Sequence, residues 1–153
     1  MTVRALRFEG DPILLEMAPA VEQFDERLTT LVRDMFETMY AAPGRGLAAP
    51  QVGVSSRVFV VDTDWRDAEP APMIFVNPQI VGRSDQEISG TEACLSIPDK
   101  SYAVSRPTWV QMTWQDLDGV QQAGRFEGIQ AVCVYHEMDH LNGLLITQTG
   151  TLL

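Results

Sequence analysis

His136-Glu137-Met138-Asp139-His140 forms the arrangement H-E-x-x-H, and its two histidines are the only ones in 153 residues. On a helix, positions i and i+4 share a face, so both imidazoles can converge on one point. Two imidazoles aimed together make the beginnings of a transition-metal site. Glu137, between them, is placed to take a proton from a water that such an ion activates. The competing reading is a pair of neighbouring histidines with no ligand. In a chain with so few histidines that register is a rare accident.

Two imidazoles leave a catalytic metal short of its usual three protein ligands and one open position. The third can be a carboxylate or a thiolate, and the chain has two cysteines, Cys94 and Cys133. Cys94 lies in Glu92-Ala93-Cys94-Leu95-Ser96, between predicted strands, and would approach the ion from a separate direction. Cys133 precedes His136 by three residues on the same helix and can also face it. Position favours Cys94, with Cys133 read as a small buried hydrophobe. Carboxylates such as Glu92 are weaker candidates.

The elements that must position these groups come from a chain of ordinary globular composition, 45% apolar, with length for one domain over residues 1–153 and a modest core. Twenty-one acidic residues against 11 basic ones give a net charge of −10. That balance favours solubility and argues against nucleic acid or an anionic membrane as a partner. Two cysteines are too few for a secreted disulfide scaffold, and Met1-Thr2-Val3-Arg4-Ala5 leads into no signal-type apolar run. The expectation is a reducing cytoplasm with both thiols free.

Phe24 to Ala42 reads as a helix, capped by Asp25, with Leu28, Leu31, Val32, Met35, Phe36, Met39 and Tyr40 as its apolar stripe. Pro43-Gly44 ends it and opens a stretch of small residues, Gly44 to Gln51, that suggests backbone packed closely against something else. Val58 to Val61, Met73 to Asn77 (stopped by Pro78) and Trp109 to Trp114 read as strands, with Asp118-Gly119 a hairpin turn. Ile97-Pro98-Asp99 and Arg106-Pro107 read as loop punctuation. The last helix runs from about Glu127 to Leu141 and stops at Gly143. Its Val132-Cys133-Val134 run is poor in helix propensity, so packing must hold it. The expected fold is α+β, antiparallel or mixed sheets around a central metal-binding helix.

Along its whole length the chain resembles the peptide deformylases, with three motifs in the family's order. Gly44 to Gln51 is similar to the family's G-x-G-L-A-A-x-Q, Glu92 to Ser96 to E-G-C-L-S, and HEMDHLNG, His136 to Gly143, to the third motif. The resemblance implies a peptide deformylase fold and one divalent ion bound by Cys94, His136 and His140, with water in the fourth place. In the family that ion is typically Fe²⁺, replaceable by Zn²⁺, Ni²⁺ or Co²⁺. It further implies Glu137 as proton carrier and the Gln51 side-chain amide with the Leu95 backbone N–H as oxyanion donors. Gly44, Arg45, Gly46, Ala93, Val132 and Cys133 are then expected to line the substrate. The implied substrate is the formyl group on the N-terminal methionine of new polypeptides, met in the cytoplasm in transient association with the ribosome.

Three positions depart from the family pattern. Arg45 stands where Ile or Val is usual, and its guanidinium either favours a carboxylate-bearing substrate or snorkels to water. Ala93 replaces a glycine, at little cost if the local φ is negative and with strain if it is positive. Tyr135 replaces a glutamine and is expected to affect packing only. These departures leave two alternatives: the same metal chemistry on a different N-acyl or acidic substrate, or a weakly active or inactive metal-binding scaffold.

Overall fold

The computed structural model describes residues 2–153. Helix α1, Glu26–Ala41, starts where the Asp25 carboxylate accepts from the backbone N–H groups of Arg27 and Leu28. Strands β1 (Gly46–Ala48), β2 (Val58–Val61), β3 (Met73–Arg83), β6 (Trp109–Gln115) and β7 (Gln121–Glu127) form a five-stranded antiparallel sheet in the order β1-β2-β3-β6-β7. Strands β4 (Glu87–Cys94), β5 (Ile97–Pro107) and β8 (Thr151–Leu152) form a second antiparallel sheet in the order β4-β5-β8. Helix α2 spans Gly128–Leu141, and the short α3 spans Ile146–Thr149.

At β1, β2 and the start of β3 the larger sheet is covered on both faces, and strand alternation sorts the side chains there between two helices. Ala48, Phe59, Val61 and Phe75 pack with Ala131, Val134, Met138 and Leu141 of α2. Leu47, Val58, Val60 and Val76 pack with Leu28, Leu31, Val32, Met35 and Met39 of α1. A fully buried β2, Val58-Phe59-Val60-Val61, is therefore a continuous apolar run rather than an alternating one. The second sheet packs its own core, Ile97, Tyr102 and Val104 against Leu14, Leu145 and Ile146. The expected α+β arrangement around a buried metal helix holds.

Three local expectations need correction. Pro78 does not stop β3, because a register shift between Val76 and Gln79 carries the strand past it to Arg83. Ile97-Pro98-Asp99 and Arg106-Pro107 are not loops but the two ends of β5. Pairing from Glu87↔Pro107 to Glu92↔Tyr102 supplies what local propensity does not. Asp118-Gly119 does turn the chain between β6 and β7, with Gly119 at φ 80°. Among the described residues, no helix is long and apolar enough to cross a membrane.

Candidate metal centre

Helix α2 has one face in the core of the larger sheet, through Ala131, Val134, Met138 and Leu141. The 3.6-residue repeat turns His136 and His140 to the other side. There they meet Cys94, the last residue of β4. Cys94 pairs with Ile97, so Leu95 and Ser96 form a tight two-residue turn that fixes the cysteine's direction. One donor atom each from Cys94, His136 and His140 lie within 4.8 Å of one another. The Cys94 sulfur is 3.4 Å from His140 Nε2. Cys133 is not in that set: it is half-buried on the core side of α2, and burial pushes its thiol up to about 12.

His136 is oriented from behind. Its Nδ1 lies 2.9 Å from Glu92 Oε1, which fixes the ring and leaves Nε2 for an ion. Glu92 is in turn gripped by Arg106, whose Nε and Nη2 each donate at 2.9 Å, while Nη1 donates to Asp139 at 2.6 Å. Burial alone would raise the Glu92 carboxyl, but the Arg106 and His136 contacts hold it at about 2. Glu92 is thus a support for a ligand rather than a ligand. Tyr135, expected to matter for packing only, also has the Arg106 guanidinium over its ring, 5.4 Å from the centroid, and its hydroxyl accepts from Arg83 at 2.8 Å.

The cluster is suited to a cation. Burial, with His136 and Arg106 nearby, drives His140 well towards the neutral imidazole that ligates metals. For His136 burial acts in the same sense, but hydrogen bonds to Cys94 and Glu92 prevail and raise it to about 10. Metal binding would displace the proton that such a histidine holds. Glu137 Oε1 is buried without a hydrogen-bond partner. Burial pushes this carboxyl up to about 7. An unpartnered buried carboxylate beside three ligand atoms is unstable as mere structure and fits the handling of a proton.

The small residues of the first motif now have their reason. A Cβ on Gly46 would stand 2.5 Å from Glu137 Oε2, and one on Gly44 would stand 2.8 Å from Leu95 Cδ1. Gln51 lies in a 3-10 turn, Ala49–Val52, directly after β1. Its Oε1 accepts from Ala48 N at 2.9 Å, which points Nε2 at Ser96 Oγ (3.1 Å) and the Cys94 sulfur (3.7 Å). Gly44, Arg45, Ala93, Cys94 and Leu95 line one cleft of about 540 Å³. Val132 lines a second, apolar groove with Ile88, Trp109 and Ile129. Among the described non-glycine residues only Asn77 and Asp99 have positive φ, so Ala93 sits in its glycine's place without backbone strain.

Sequence reasoning gave no role to Arg106, Asp139 or Ser96. The signal for the first was present: an aspartate inside a motif on a buried helix needs a cation. Ser96 closes the second motif but reveals its part only through the Gln51 contact.

A thiol and two imidazoles converging beside a buried, unpartnered carboxylate define a metal-dependent hydrolase. The chain belongs to the polypeptide deformylase family, whose model matches residues 3–151. It is 46% identical over 145 residues to a peptide deformylase of Brucella suis, covering 95% of this chain and 83% of that protein. A peptide deformylase of Novosphingobium aromaticivorans is 44% identical over 164 residues, with 95% and 87% covered. The crystal structure of peptide deformylase from Thermotoga maritima superposes with a TM-score of 0.92 at 36% identity, covering 97% of this chain and 98% of that one. A peptide deformylase from Synechococcus elongatus in complex with actinonin gives 0.92 at 37% identity, with 97% and 82% covered.

Proposed function

We propose that residues 1–153 act as one catalytic domain that hydrolyses the formyl group from the N-terminal methionine of new polypeptides, releasing formate and a free amine. The observation that carries this reading is the buried Cys94–His136–His140 set with Glu137 Oε1 unpartnered beside it. Those three residues would hold one divalent ion, Fe²⁺ in the cell, with Zn²⁺, Ni²⁺ or Co²⁺ able to replace it. An ion in such a site serves as Lewis acid and lowers the pKa of water.

The chain's own groups do the rest. Glu137 takes the proton of the attacking water and returns one to the departing amine, a shuttle suited to a carboxyl pushed up to about 7. Gln51 Nε2 and the Leu95 backbone N–H donate to the oxygen that gains charge as the carbonyl is attacked. The Gln51 amide is already oriented by Ala48 and Ser96, so little reorganisation remains. Gly44, Arg45, Gly46 and Ala93 shape the entrance, while Val132 lines the separate apolar groove and Cys133 backs α2 from its core side. The reaction belongs to the cytoplasm, in transient contact with the ribosome.

The test is formate release by anaerobically purified, Fe²⁺-loaded protein from formyl-Met peptides beside their acetyl analogues. Robust turnover of the formyl peptides alone is expected. Bound metal with no formyl turnover would sink the reading, and equal turnover of acetyl peptides would move it to another N-acyl substrate.

A further inference from the structure

The cleft that opens onto Cys94 and Leu95 carries Arg45, Arg66 and Lys100 against a single carboxylate, Asp99. Three of the 11 lysines and arginines of a chain with net charge −10 thus gather at one opening. A cationic mouth on an acidic protein draws anions to itself.

Of the three, Arg45 is the one with a buried donor left unpaired: its Nε has no hydrogen-bond partner. The guanidinium's nearest ionic contact is Nη2 to Asp67, at 3.8 Å, and the Asp67 side chain is 79% exposed. A pair so long and so wet holds little. Arg106, in the same molecule, shows the equivalent edge filled: Nε and Nη2 each donate at 2.9 Å to the two oxygens of Glu92. The backbone either side of Arg45 is meanwhile held still. Trp65 Nε1 donates to the Gly44 carbonyl at 2.9 Å, Arg66 donates to the Pro43 carbonyl, and Asp62 N donates to the Arg45 carbonyl at 2.8 Å. On that hydrogen-bonded backbone, in the lining of the cleft that reaches Cys94 and Leu95, Arg45 carries a guanidinium whose ion pair is long and exposed.

We infer that Arg45 is a specificity-determining residue that binds a substrate carboxylate, so that formylated peptides bearing Asp or Glu next to the formylmethionine are preferred over neutral ones. This rests on the deformylase reading. The incoming carboxylate takes the place of Asp67 at Nη2, while Arg66 and Lys100 add a longer-range pull that salt weakens.

The experiment compares kcat/KM of the metal-loaded enzyme for C-terminally amidated formyl-Met-Asp-Ser, its neutral isostere formyl-Met-Asn-Ser, and formyl-Met-Ala-Ser as amide and as free acid. The Asp peptide should lead Asn on the order of tenfold, chiefly through KM, and the lead should shrink in high salt. Arg45→Val should bring the Asp/Asn ratio close to one, Arg45→Lys should restore part of it, and Asp67→Asn should raise it. Equal rates for Asp and Asn, or a ratio that survives Arg45→Val, would overturn the inference. A free acid that gains as much as the Asp side chain would overturn the side-chain assignment and move the carboxylate to the chain end. Calorimetric binding of Met-Asp-Ser and Met-Asn-Ser amides to the Glu137→Gln enzyme gives the same ratio without turnover. Absence of turnover on every formyl peptide thus removes the deformylase reading, while that binding ratio still decides the role of Arg45.

Discussion

Gly46 and Glu137, far apart in sequence, are so close in space that a methyl group on the first would stand 2.5 Å from a carboxylate oxygen of the second. The first motif is therefore the wall against which the proton carrier rests, and its lack of a side chain sets where the carboxylate can be. A Cβ there would also crowd Glu137 Cγ at 3.1 Å, so a rotation of the carboxylate tip alone does not relieve it. Gly46→Ala should lower kcat by about 10- to 100-fold, the range expected for a displaced catalytic group, while metal content stays near stoichiometric. Steady-state kinetics beside metal analysis check this. Full activity would show that the carboxylate tolerates a different seat.

The ligands and the proton carrier should separate cleanly on substitution. Glu137→Gln is expected to keep the ion and lose turnover by at least about 100-fold, as removal of a general base does. Cys94→Ala should lose metal affinity, because two imidazoles alone hold an ion weakly. Cys133→Ala should keep the metal and lose stability by about 1 kcal/mol, as a half-buried thiol gives way to a smaller group. If Cys133→Ala lost the metal and Cys94→Ala did not, the ligand assignment would be reversed.

Arg106 bridges two buried carboxylates, Glu92 and Asp139. Arg106→Leu leaves Asp139 without a partner and Glu92 with His136 Nδ1 alone, and breaking a buried ion pair in this way costs about 3–5 kcal/mol. For a chain of this size that lowers the melting temperature by on the order of 10 °C. Because Glu92 also holds His136 Nδ1, metal affinity should fall with it. Thermal unfolding with and without added metal separates the two effects, and an unchanged melting temperature would show that the network contributes nothing.

Much of this site could be read from the chain because its parts are local. H-E-x-x-H needs only a helix to bring its ends together, and the apolar stripe from Leu28 to Met39 needs only a period of 3.6. What escaped reading depends on pairing between distant strands. β4 and β7 are polar strands, with Gly90 and Gly124 inside them, and only their register with β5 and β6 makes them strands. The Arg106 clamp needs β5 laid across α2, a relation no spacing in the sequence expresses. Arg45 was visible as an unusual residue, but its unpaired Nε is a property of the packed loop.

A last prediction concerns acid. Asp34 accepts from the backbone N–H of Thr2 at 2.9 Å and from Arg4 Nε at 2.8 Å, tying the N-terminal segment to α1. The Thr2 hydrogen bond is the larger cause that lowers the Asp34 carboxyl; burial opposes it, and Arg4 adds to the lowering. A carboxyl held lower in the folded chain than its unfolded value of about 3.9 stabilises the fold above that pH. This contribution is lost as pH falls from about 4 through the lower folded value, because the unfolded chain then binds the extra proton. Asp34→Asn cannot titrate, so between pH 5 and about 3 its urea midpoint should fall less steeply than that of the native chain. At neutral pH the variant should be the less stable of the two, since the amide keeps a hydrogen bond but not the charge opposite Arg4. Parallel slopes for the two proteins across that window would show that the Asp34 tie does not govern acid stability.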